Sequence, residues 1–421
     1  MAHNLTSTRI FCLRVYLIIS LVVLNSPAGA PASAVPVPPA QQEKAGSVRT
    51  GIDAYEFANS NLLAGKRIGL ITNQTGVDSE GVRTIDVFAR DKSVKLVAIF
   101  SPEHGIVGRA DSDVATTSDA ATHLPIYSLY GETRRPTDAM LLGIDVLVFD
   151  IQDAGVRFYT YITTMAYCME AAAKHHISFV VLDRPNMLGG EVIEGPMLDA
   201  DKLSFVGYFP MPVRYAMTMG ELARMFNAEN KIGADLHVFA MKNWRRATAY
   251  DETGLAWIPP SPNLRTLRAA FLYPGIEILQ AGGVSVGRGT EAPFEKFGAP
   301  WIDAARLAEE LNRRKIAGVR FAPGAFTPES DLYKGQACEG VTIEIADRSA
   351  IRAMSMGLEI AGVLHRMYPE KFQLDKIIAL VGSKGTMDAL ERGEKPEAIV
   401  ASWSPELDKF RATRAKYLLY H

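Results

Sequence analysis

The chain has 421 residues, of which 48% are hydrophobic and 22% are charged, and its formal net charge at pH 7 is -2. This length suggests about two domains, and the ordinary composition excludes a chain that is disordered over most of its length. Because there is no basic excess, the composition argues against a nucleic-acid or anionic-membrane surface, although it leaves room for a local basic pocket.

Residues 1–34 are typical of a secretory signal peptide. Arg9 and Arg14 precede an apolar run at 15–24, and two small-residue A-x-A cleavage patterns follow it. The run is shorter than the roughly 20 residues that a membrane-spanning helix needs, so an uncleaved anchor is the less favoured alternative. We predict an exported protein, periplasmic or extracellular, with no membrane span after cleavage.

Residues 35–47 are rich in proline, alanine and glutamine, which is typical of a flexible leader. Beyond that leader the cysteines are Cys168 and Cys338. We expect them in different domains, as two separate buried thiols and not as a disulfide. No paired Cys and His spacing suggests a zinc site, so we expect no metal.

Residues 48–264 are predicted to form the N-terminal domain, in which strands alternate with helices. This alternation indicates an α/β fold with a parallel, doubly wound sheet. A short run at 126–130 is predicted as an edge strand, and 110–124 as a mobile loop. The main strands are predicted at 67–72, 94–100, 144–150, 178–183 and 236–240, and the helices at 84–90, 136–142, 165–175 and 219–227.

Residues 265–421 are predicted to form a smaller C-terminal domain of α/β or α+β type. The junction follows three prolines that interrupt any helix, Pro259, Pro260 and Pro262. The glycine-rich stretch 275–301 shows no clear periodicity and is predicted as an irregular functional loop. Beyond it, helices are predicted at 302–314, 351–367, 387–392 and 405–418, and strands at 319–322 and 341–345.

Charged residues directly follow or end several predicted strands. Glu103 and His104 follow the second strand, Asp150 ends the third, and Asp183 ends the fourth. In open α/β sheets, ligands bind outside the carboxyl ends of the strands, so we expect these side chains to meet at one rim. The alternative is that strand-end aspartates cap the following helices.

Paired carboxylates at such a rim favour glycoside hydrolysis, in which an acid protonates the leaving oxygen and a second carboxylate acts as base or nucleophile. Glu103 is the predicted acid, and His104 is predicted to assist or position it. Asp150, Asp153 and Glu194 are candidates for the second carboxylate.

Arginines and tyrosines near the same rim are candidate substrate-binding residues. Arg157, Arg184 and Arg288 would suit an anionic substituent through forked hydrogen bonds, and Tyr159 and Tyr161 would stack on a sugar ring or hydrogen-bond to it. The alternative is that the arginines neutralise the strand-end acids in a structural network.

Two other chemistries receive less support. A dinucleotide site would place G-x-G-x-x-G directly after the first strand, and 73–76 does not fit it, so no cofactor is expected. The motif G-x-S-x-G at 283–287 would make Ser285 a nucleophile only if a helix followed it. The prolines and glycines of 288–300 make that helix unfavourable, so a serine hydrolase is the least favoured alternative.

Several blocks of this sequence resemble the exo-β-N-acetylmuramidase family. That resemblance implies a Rossmann-like domain, a smaller C-terminal domain and a cleft between them. It also implies release of N-acetylmuramic acid from the non-reducing end of peptidoglycan fragments, with muropeptides and MurNAc-GlcNAc as substrates. The blocks are ITNQTGVD (71–78), FSPEHGIVG (100–108), D-x-QD-x-G-x-R-x-YTY (150–161), LDRPN (182–186), EGPMLD (194–199), PPSPN (259–263), SVGRGTEAPFEKFGAPW (285–301) and KYLLY (416–420).

Within these blocks the resemblance assigns site positions to Glu103, His104, Asp150, Gln152, Asp153, Arg157, Tyr159, Arg288 and Glu291. Asn73, in the polar turn after the first strand, is a further candidate substrate-binding residue. Relatives typically read HGMT where this chain has 215–218, YAMT, and EGTN where it has Gln280-Ala281-Gly282-Gly283. A glutamine cannot act as a carboxylate nucleophile or base. A non-catalytic cell-wall sugar-binding protein is therefore the main alternative function. The partner of Glu103, the stereochemical course, a substrate-assisted route and the oligomeric state all stay open.

Overall fold

The computed structural model describes residues 46–57, 61–110 and 115–421. The predicted signal peptide and all but the last two residues of the predicted leader lie outside the described residues. No helix in the described part of the chain is long and apolar enough to cross a membrane.

The described residues form helices and strands in alternation through the first half of the chain. The strands are β1 (Arg67–Thr72), β2 (Lys95–Ser101), β3 (Thr117–Ser118), β4 (Pro125–Ser128), β5 (Val146–Asp150), β6 (Ser178–Leu182), β7 (Glu194–Met197), β8 (Pro212–Arg214), β9 (Leu236–Phe239), β10 (Lys296–Ala299), β11 (Val319–Phe326) and β12 (Cys338–Ile345). The helices are α1 (Gly51–Phe57), α2 (Thr84–Arg90), α3 (Tyr161–Lys174), α4 (Met219–Glu229), α5 (Leu267–Ala281), α6 (Ala304–Arg313), α7 (Ala353–Met367), α8 (Ile378–Val381), α9 (Lys384–Glu391), α10 (Pro396–Ser402) and α11 (Ser404–Ala415).

The main sheet of the described chain has seven strands in the order β3-β4-β2-β1-β5-β6-β9. All neighbours pair in parallel except β3 and β4, which are antiparallel. The chain starts in the middle at β1, builds outward through β2 and β4, and then returns to β5 on the other side. The predicted doubly wound α/β fold is therefore confirmed. The direction reverses between β1 and β5, where open α/β sheets form their ligand crevice.

Alternation along the central strands divides their side chains between two cores. In β5, Val146 and Val148 pack on one face of the sheet, and Leu147 and Phe149 pack on the other. Every residue of β5 is buried, which is expected of a parallel strand that has helices on both faces. The core on the Phe149 face continues into the C-terminal part of the chain, where Ile276 belongs to the same cluster.

Three local predictions are wrong. Residues 138–143 form consecutive turns and not the predicted helix, with Gly143 at φ +77° ending the segment. The predicted edge strand 126–130 is second from the edge, because β3, inside the predicted mobile loop, pairs with β4. Residues 275–281, the start of the stretch predicted to be irregular, are helical, because α5 extends to Ala281.

The C-terminal part is of α+β type. Its three-stranded sheet is antiparallel, in the order β10-β12-β11, and helix α6 packs on β11 and β12, while α5 and α7 pack on each other. Cys168 and Cys338 are both buried and free, as predicted. The described residues from Gly46 onward belong to one compact unit, and a domain boundary at 264/265 stays a prediction.

Helices α5 and α7 cross with their backbones in contact at two glycines. A Cβ atom at Gly275 would lie 1.9 Å from the Ala353 carbonyl oxygen, and one at Gly357 would lie 2.2 Å from the Gly275 carbonyl oxygen. Neither position therefore accepts a side chain unless the helices move apart. Pro274 and Gly275 are both poor helix formers, which is why the sequence pattern did not predict α5.

We expect Gly357→Ala to lower the free energy of unfolding by about 1–3 kcal/mol, the usual effect of overpacking, because the added methyl group meets backbone atoms that cannot rotate away. Urea unfolding followed by circular dichroism measures this change. The matched control is Gly385→Ala in α9, where a Cβ atom would have no neighbour within 4 Å. Equal stability of the two variants would contradict the close crossing of α5 and α7.

Candidate active site

Glu103 lies in the loop that follows β2, as the strand-end pattern predicts. Ser101 and Pro102 before it are buried, while Glu103 itself is half-buried. Its Oε2 accepts a hydrogen bond from the Thr160 hydroxyl, just before α3. No hydrogen bond within the described residues engages Oε1. One carboxylate oxygen is thus held in place while the other is left for a ligand.

His104 shapes the loop that carries Glu103. Its backbone has φ +70°, an uncommon conformation for a residue other than glycine, and Gly105 follows at φ +72°. The imidazole Nδ1 donates to the carbonyl of Ala110 at 2.6 Å, across the same loop. Strain of this kind is often found at functional sites. We interpret His104 as a residue that positions Glu103.

Three buried tyrosines form a cluster beside Glu103, here named the tyrosine cluster: Tyr159, Tyr161 and Tyr273. The ring centroids of Tyr159 and Tyr161 are 4.8 Å apart, and those of Tyr159 and Tyr273 are 6.0 Å apart, both edge to face. Burial raises the pKa of all three hydroxyls, and the nearby charge of Glu103 raises each pKa further. The carboxylate therefore faces a largely apolar, aromatic surface.

Tyr161 and Asn73 hold the loops around this cluster. The Tyr161 hydroxyl donates to the Pro260 carbonyl at 2.6 Å and accepts from Asn73 Nδ2 at 3.1 Å. Asn73 Oδ1 in turn accepts from the Thr75 backbone at 2.9 Å. Both residues were predicted to bind substrate, but these contacts and their burial favour a structural role.

Helix α5 brings a second set of polar residues to the Glu103 side of the fold. We name Glu277, Gln280, Arg288 and Asp331 the α5 polar cluster. Arg288 Nη2 donates to Glu277 Oε1 at 2.6 Å, and Arg288 Nε lies 3.9 Å from Asp331 Oδ2. Gln280 Nε2 donates to Asp331 Oδ1 at 3.1 Å. Arg288 was predicted from the sequence as a site residue, whereas Glu277 and Asp331 were missed.

Two of the other predicted acids, Asp150 and Asp183, are fully engaged in structural contacts. Asp150 is fully buried and pairs with Arg184, whose Nη2 lies 2.9 Å from Asp150 Oδ2, while Thr84 donates to the same oxygen. Asp183 accepts from the backbone N–H of Gly220 at 2.8 Å, in the first turn of α4. The helix-capping alternative therefore describes Asp183, and the neutralising-network alternative describes Asp150 and Arg184.

Asp153 is buried near Tyr159 of the tyrosine cluster. Its Oδ2 accepts from Gly155 N–H at 2.6 Å and from the Tyr215 hydroxyl, whereas Oδ1 is buried without a hydrogen-bond partner among the described residues. Burial raises the pKa of this carboxyl to about 6, and the two donors oppose that shift. The charges of Asp153 and Glu103 both raise the pKa of the Tyr159 hydroxyl, so both acids lie near this ring.

The remaining buried candidates join segments of the fold. Arg157 donates to four backbone carbonyls, including those of Leu380 at 2.7 Å and Val381 at 2.8 Å in the C-terminal part. Glu194 pairs with Arg214 at 3.4 Å and accepts from the N–H of Ser355. These contacts favour structural roles over the predicted binding and catalytic ones.

Gln152 lies beside a cavity of about 280 Å³ at the point where the sheet reverses direction. Its Nε2 donates to the Pro185 carbonyl at 2.7 Å. Arg184 and Tyr250 also line this cavity. Sequence reasoning expects a ligand crevice here, but Glu103 is not among the residues that line the cavity.

Two predicted residues after α5, Glu291 and Ser285, lack the contacts or geometry expected of site residues. Glu291 is exposed and pairs with Lys296 at 2.5 Å. Ser285 is buried and forms a backbone bridge with Gly298, and turns, not a helix, follow it. The nucleophile-elbow geometry of a serine hydrolase is therefore absent from this segment.

The structure thus brings together Glu103, His104, Tyr159 and Tyr161 from the N-terminal part and Arg288 from the C-terminal part. Glu277 was missed because α5 was not recognised as a helix. A signal was available in the sequence: Glu277 is a lone charge in the apolar segment LYPGIEIL, Leu272–Leu279. Charged residues buried in apolar helices need a partner, and Arg288 is that partner.

Comparisons with known proteins agree on one family. Residues 68–268 match the family described as exo-beta-N-acetylmuramidase NamZ, N-terminal, and residues 271–420 match its C-terminal counterpart. The chain is 43% identical over 394 residues to the peptidoglycan beta-N-acetylmuramidase NamZ of Bacillus subtilis (strain 168), covering 92% of this chain and 95% of that protein.

Two crystal structures of DUF1343 family proteins from Bacteroides fragilis NCTC 9343 are similar to this fold. The first has a TM-score of 0.83 and 40% identity, and covers 89% of this chain and 100% of its own. The second has a TM-score of 0.74 and 32% identity, and covers 89% of this chain and 99% of its own.

Asp153 yields a prediction about stability and pH. Its folded pKa of about 6 lies above the ordinary aspartate value of 3.8, so between pH 3.8 and 6 the folded carboxyl keeps a proton that the unfolded chain has lost. The stability contributed by this group therefore falls as pH rises from 4.5 to 7. We expect the free energy of unfolding of Asp153→Asn, minus that of the wild type, to increase by on the order of 2 kcal/mol over this interval.

Urea unfolding at pH 4.5 and 7 measures this difference. Asp145→Asn is the control, because the Arg67 contact lowers the pKa of Asp145 to about 2, so that it titrates below the interval. A difference between Asp153→Asn and wild type that stays constant with pH would reject the burial effect.

Proposed function

This chain belongs to the NamZ family of exo-β-N-acetylmuramidases, and we propose that it releases N-acetylmuramic acid from the non-reducing end of peptidoglycan fragments. It is an exo-acting glycoside hydrolase, and its substrates are muropeptides and the disaccharide MurNAc-GlcNAc. The observation that carries this proposal is the match to a peptidoglycan β-N-acetylmuramidase over 92% of the chain. Its alignment spans both Glu103 and the α5 polar cluster.

Glu103 is the acid in this proposal. Its Oε2 is held by the Thr160 hydroxyl, and its own loop is held by His104. A protonated carboxyl in this position donates its proton to the glycosidic oxygen as the bond from that oxygen to the anomeric carbon breaks. The tyrosine cluster excludes water from one side of the carboxyl, which strengthens electrostatic interactions there.

N-acetylmuramic acid carries a lactyl carboxylate, and the three candidate arginines do not identify where this group binds. Arg157 donates to backbone carbonyls, Arg184 pairs with Asp150, and Arg288 pairs with Glu277. Each of these guanidinium groups is therefore already neutralised or hydrogen-bonded. Recognition of the lactyl group through a dedicated arginine, as expected from the sequence, receives no support from these three side chains.

Export is the second part of the proposal. The basic residues, apolar run and A-x-A patterns of residues 1–34 support a cleaved signal peptide and a periplasmic or extracellular protein. This location would bring the enzyme to cell-wall fragments. N-terminal sequencing of the protein from its native host, starting after residue 30 or 34, is the expected result.

Glu103→Gln tests the acid role, because the leaving groups of two substrates differ in their need for a proton. On MurNAc-GlcNAc, whose sugar leaving group needs protonation, we expect kcat to fall by about 10²–10⁴-fold. On p-nitrophenyl β-N-acetylmuraminide, whose leaving group departs without protonation, the fall should be clearly smaller. Release of N-acetylmuramic acid by chromatography and of p-nitrophenol by absorbance measure the two rates.

Glu310→Gln is the matched control. Glu310 is a helical carboxylate on α6 that pairs with Arg314 at 3.2 Å and is not one of the site residues. Its loss should leave both rates unchanged. Equal losses on the two substrates in Glu103→Gln would assign Glu103 another role. Binding without release by the wild type would favour the non-catalytic sugar-binding alternative.

A further inference from the structure

Glu277 is an unusual residue for the middle of an apolar helix. It lies in the third turn of α5, between the buried residues Ile276 and Ile278, and only 13% of its side chain is exposed. Burying a carboxylate costs several kcal/mol unless its charge is paired and its oxygens are hydrogen-bonded. Arg288 provides the charge, through its bond to Oε1 at 2.6 Å.

The second carboxylate oxygen of Glu277 has no such compensation. Oε2 is buried and has no hydrogen-bond partner among the described residues. Gln280, one helical turn later on the same face, likewise has a buried Oε1 without a partner in the described part of the chain. Buried acceptors in native proteins are rarely left unpaired, so a water molecule or a ligand is expected to supply donors to these two oxygens.

Contacts through the tyrosine cluster link Glu277 to Glu103. The Tyr161 hydroxyl lies 3.5 Å from the Glu103 backbone carbonyl oxygen. The Tyr159 ring packs on both Tyr161 and Tyr273, and Tyr273 lies one turn before Glu277 on α5. Burial raises the pKa of Glu277 and the charge of Glu103 adds to this effect, whereas Arg288 opposes it. The charges of Glu277 and Glu103 also both raise the pKa of the Tyr273 hydroxyl. The two acids thus approach the tyrosine cluster from different parts of the chain.

The other acids near the site lack this arrangement. Both oxygens of Asp150 are bonded to Arg184, and Glu194 is bonded to Arg214 and Ser355. Asp153 accepts from the Gly155 N–H and the Tyr215 hydroxyl and has no arginine partner among the described residues. Among these carboxylates, Glu277 alone combines a neighbouring arginine, a free buried oxygen and electrostatic contact with Glu103.

We propose that Glu277 is the second catalytic carboxylate of this enzyme and acts as the base opposite Glu103, with Arg288 keeping it ionised. This inference rests on the proposed function. As water attacks the anomeric carbon, its proton passes to Glu277 Oε2, and Glu103 gives its proton to the departing oxygen. The bond from carbon to the leaving oxygen breaks as the bond to water forms, so charge and protons balance.

The roles of the two acids predict different responses to the leaving group. Glu277→Gln keeps the size of the side chain and an acceptor for Arg288, but removes the base. We expect kcat to fall by about 10²–10⁴-fold on both MurNAc-GlcNAc and p-nitrophenyl β-N-acetylmuraminide, since attack by water is impaired with either leaving group. Glu103→Gln should instead discriminate between the two substrates.

A second variant tests for action at the anomeric carbon. In Glu277→Ala, azide fits the space of the lost carboxylate and needs no base, so added azide should restore p-nitrophenol release. The product should be the α-glycosyl azide, because azide attacks the face opposite the β-linked leaving group. A residue with only a structural role would not be replaced in this way. Glu310→Gln again serves as the control, as an arginine-paired helical carboxylate with 18% side-chain exposure.

Each outcome decides the proposal. A Glu277→Gln rate within tenfold of the wild type overturns it while leaving the proposed function intact. A β-glycosyl azide overturns the role as base, because it indicates attack by the substrate's own acetamido group. If Glu277→Ala does not show a wild-type melting transition, the Glu277→Gln rates on the two substrates decide alone. If the wild type releases no sugar, the proposed function itself fails.

Discussion

The ion pair between Asp150 and Arg184 holds together the centre of the sheet, where the chain reverses direction. Both side chains are buried, at 0% and 5% exposure, and they join the ends of β5 and β6. Arg184 Nη2 also donates to the Val77 carbonyl after β1, and Thr84 at the start of α2 donates to Asp150. Removing one partner of a buried pair leaves an uncompensated charge, so this contact fixes the rim next to the loop that carries Glu103.

The C-terminal part depends on similar buried contacts with that rim. The Tyr420 hydroxyl donates to Asp183 Oδ2 at 2.6 Å, and Arg157 binds the carbonyls of Leu380 and Val381. These bonds attach two segments of the C-terminal part, one internal and one at its end, to the residues that follow β5 and β6. Because the two parts are held in this way, α5 is presented to the Glu103 loop in a fixed orientation.

The α5–α7 crossing sets how deeply α5 enters the site. Gly275 and Gly357 allow the two helix backbones to touch, and Glu277 lies two residues after the contact. The carboxylate is therefore positioned by backbone packing, which is stiffer than side-chain packing. The strand-end aspartates at the rim are fully paired, whereas Glu103 and Glu277 each have one oxygen without a hydrogen-bond partner among the described residues.

The capped helix α4 shows how local signals succeed. Thr218 and Glu221 form the capping box that their spacing predicts, because the two bonds involve residues of a single turn. The signals that predict strands β1, β2, β5 and β6 are equally local, because each strand is a short run of consecutive apolar residues. Helix α5 was missed because Pro274 and Gly275 lower helix propensity, and packing against α7 overrides that preference.

The sequence by itself determined the doubly wound sheet, the family and the position of Glu103 at a strand end, since each depends on patterns within a few residues. Only the tertiary structure decided which charged residues pair with each other. Asp150 and Arg184, or Glu277 and Glu103, are distant in the chain, and whether a carboxylate is neutralised depends on which side chain lies within a few ångströms. Pairing energies fall steeply with distance and rise with burial, and neither quantity can be read from a single sequence.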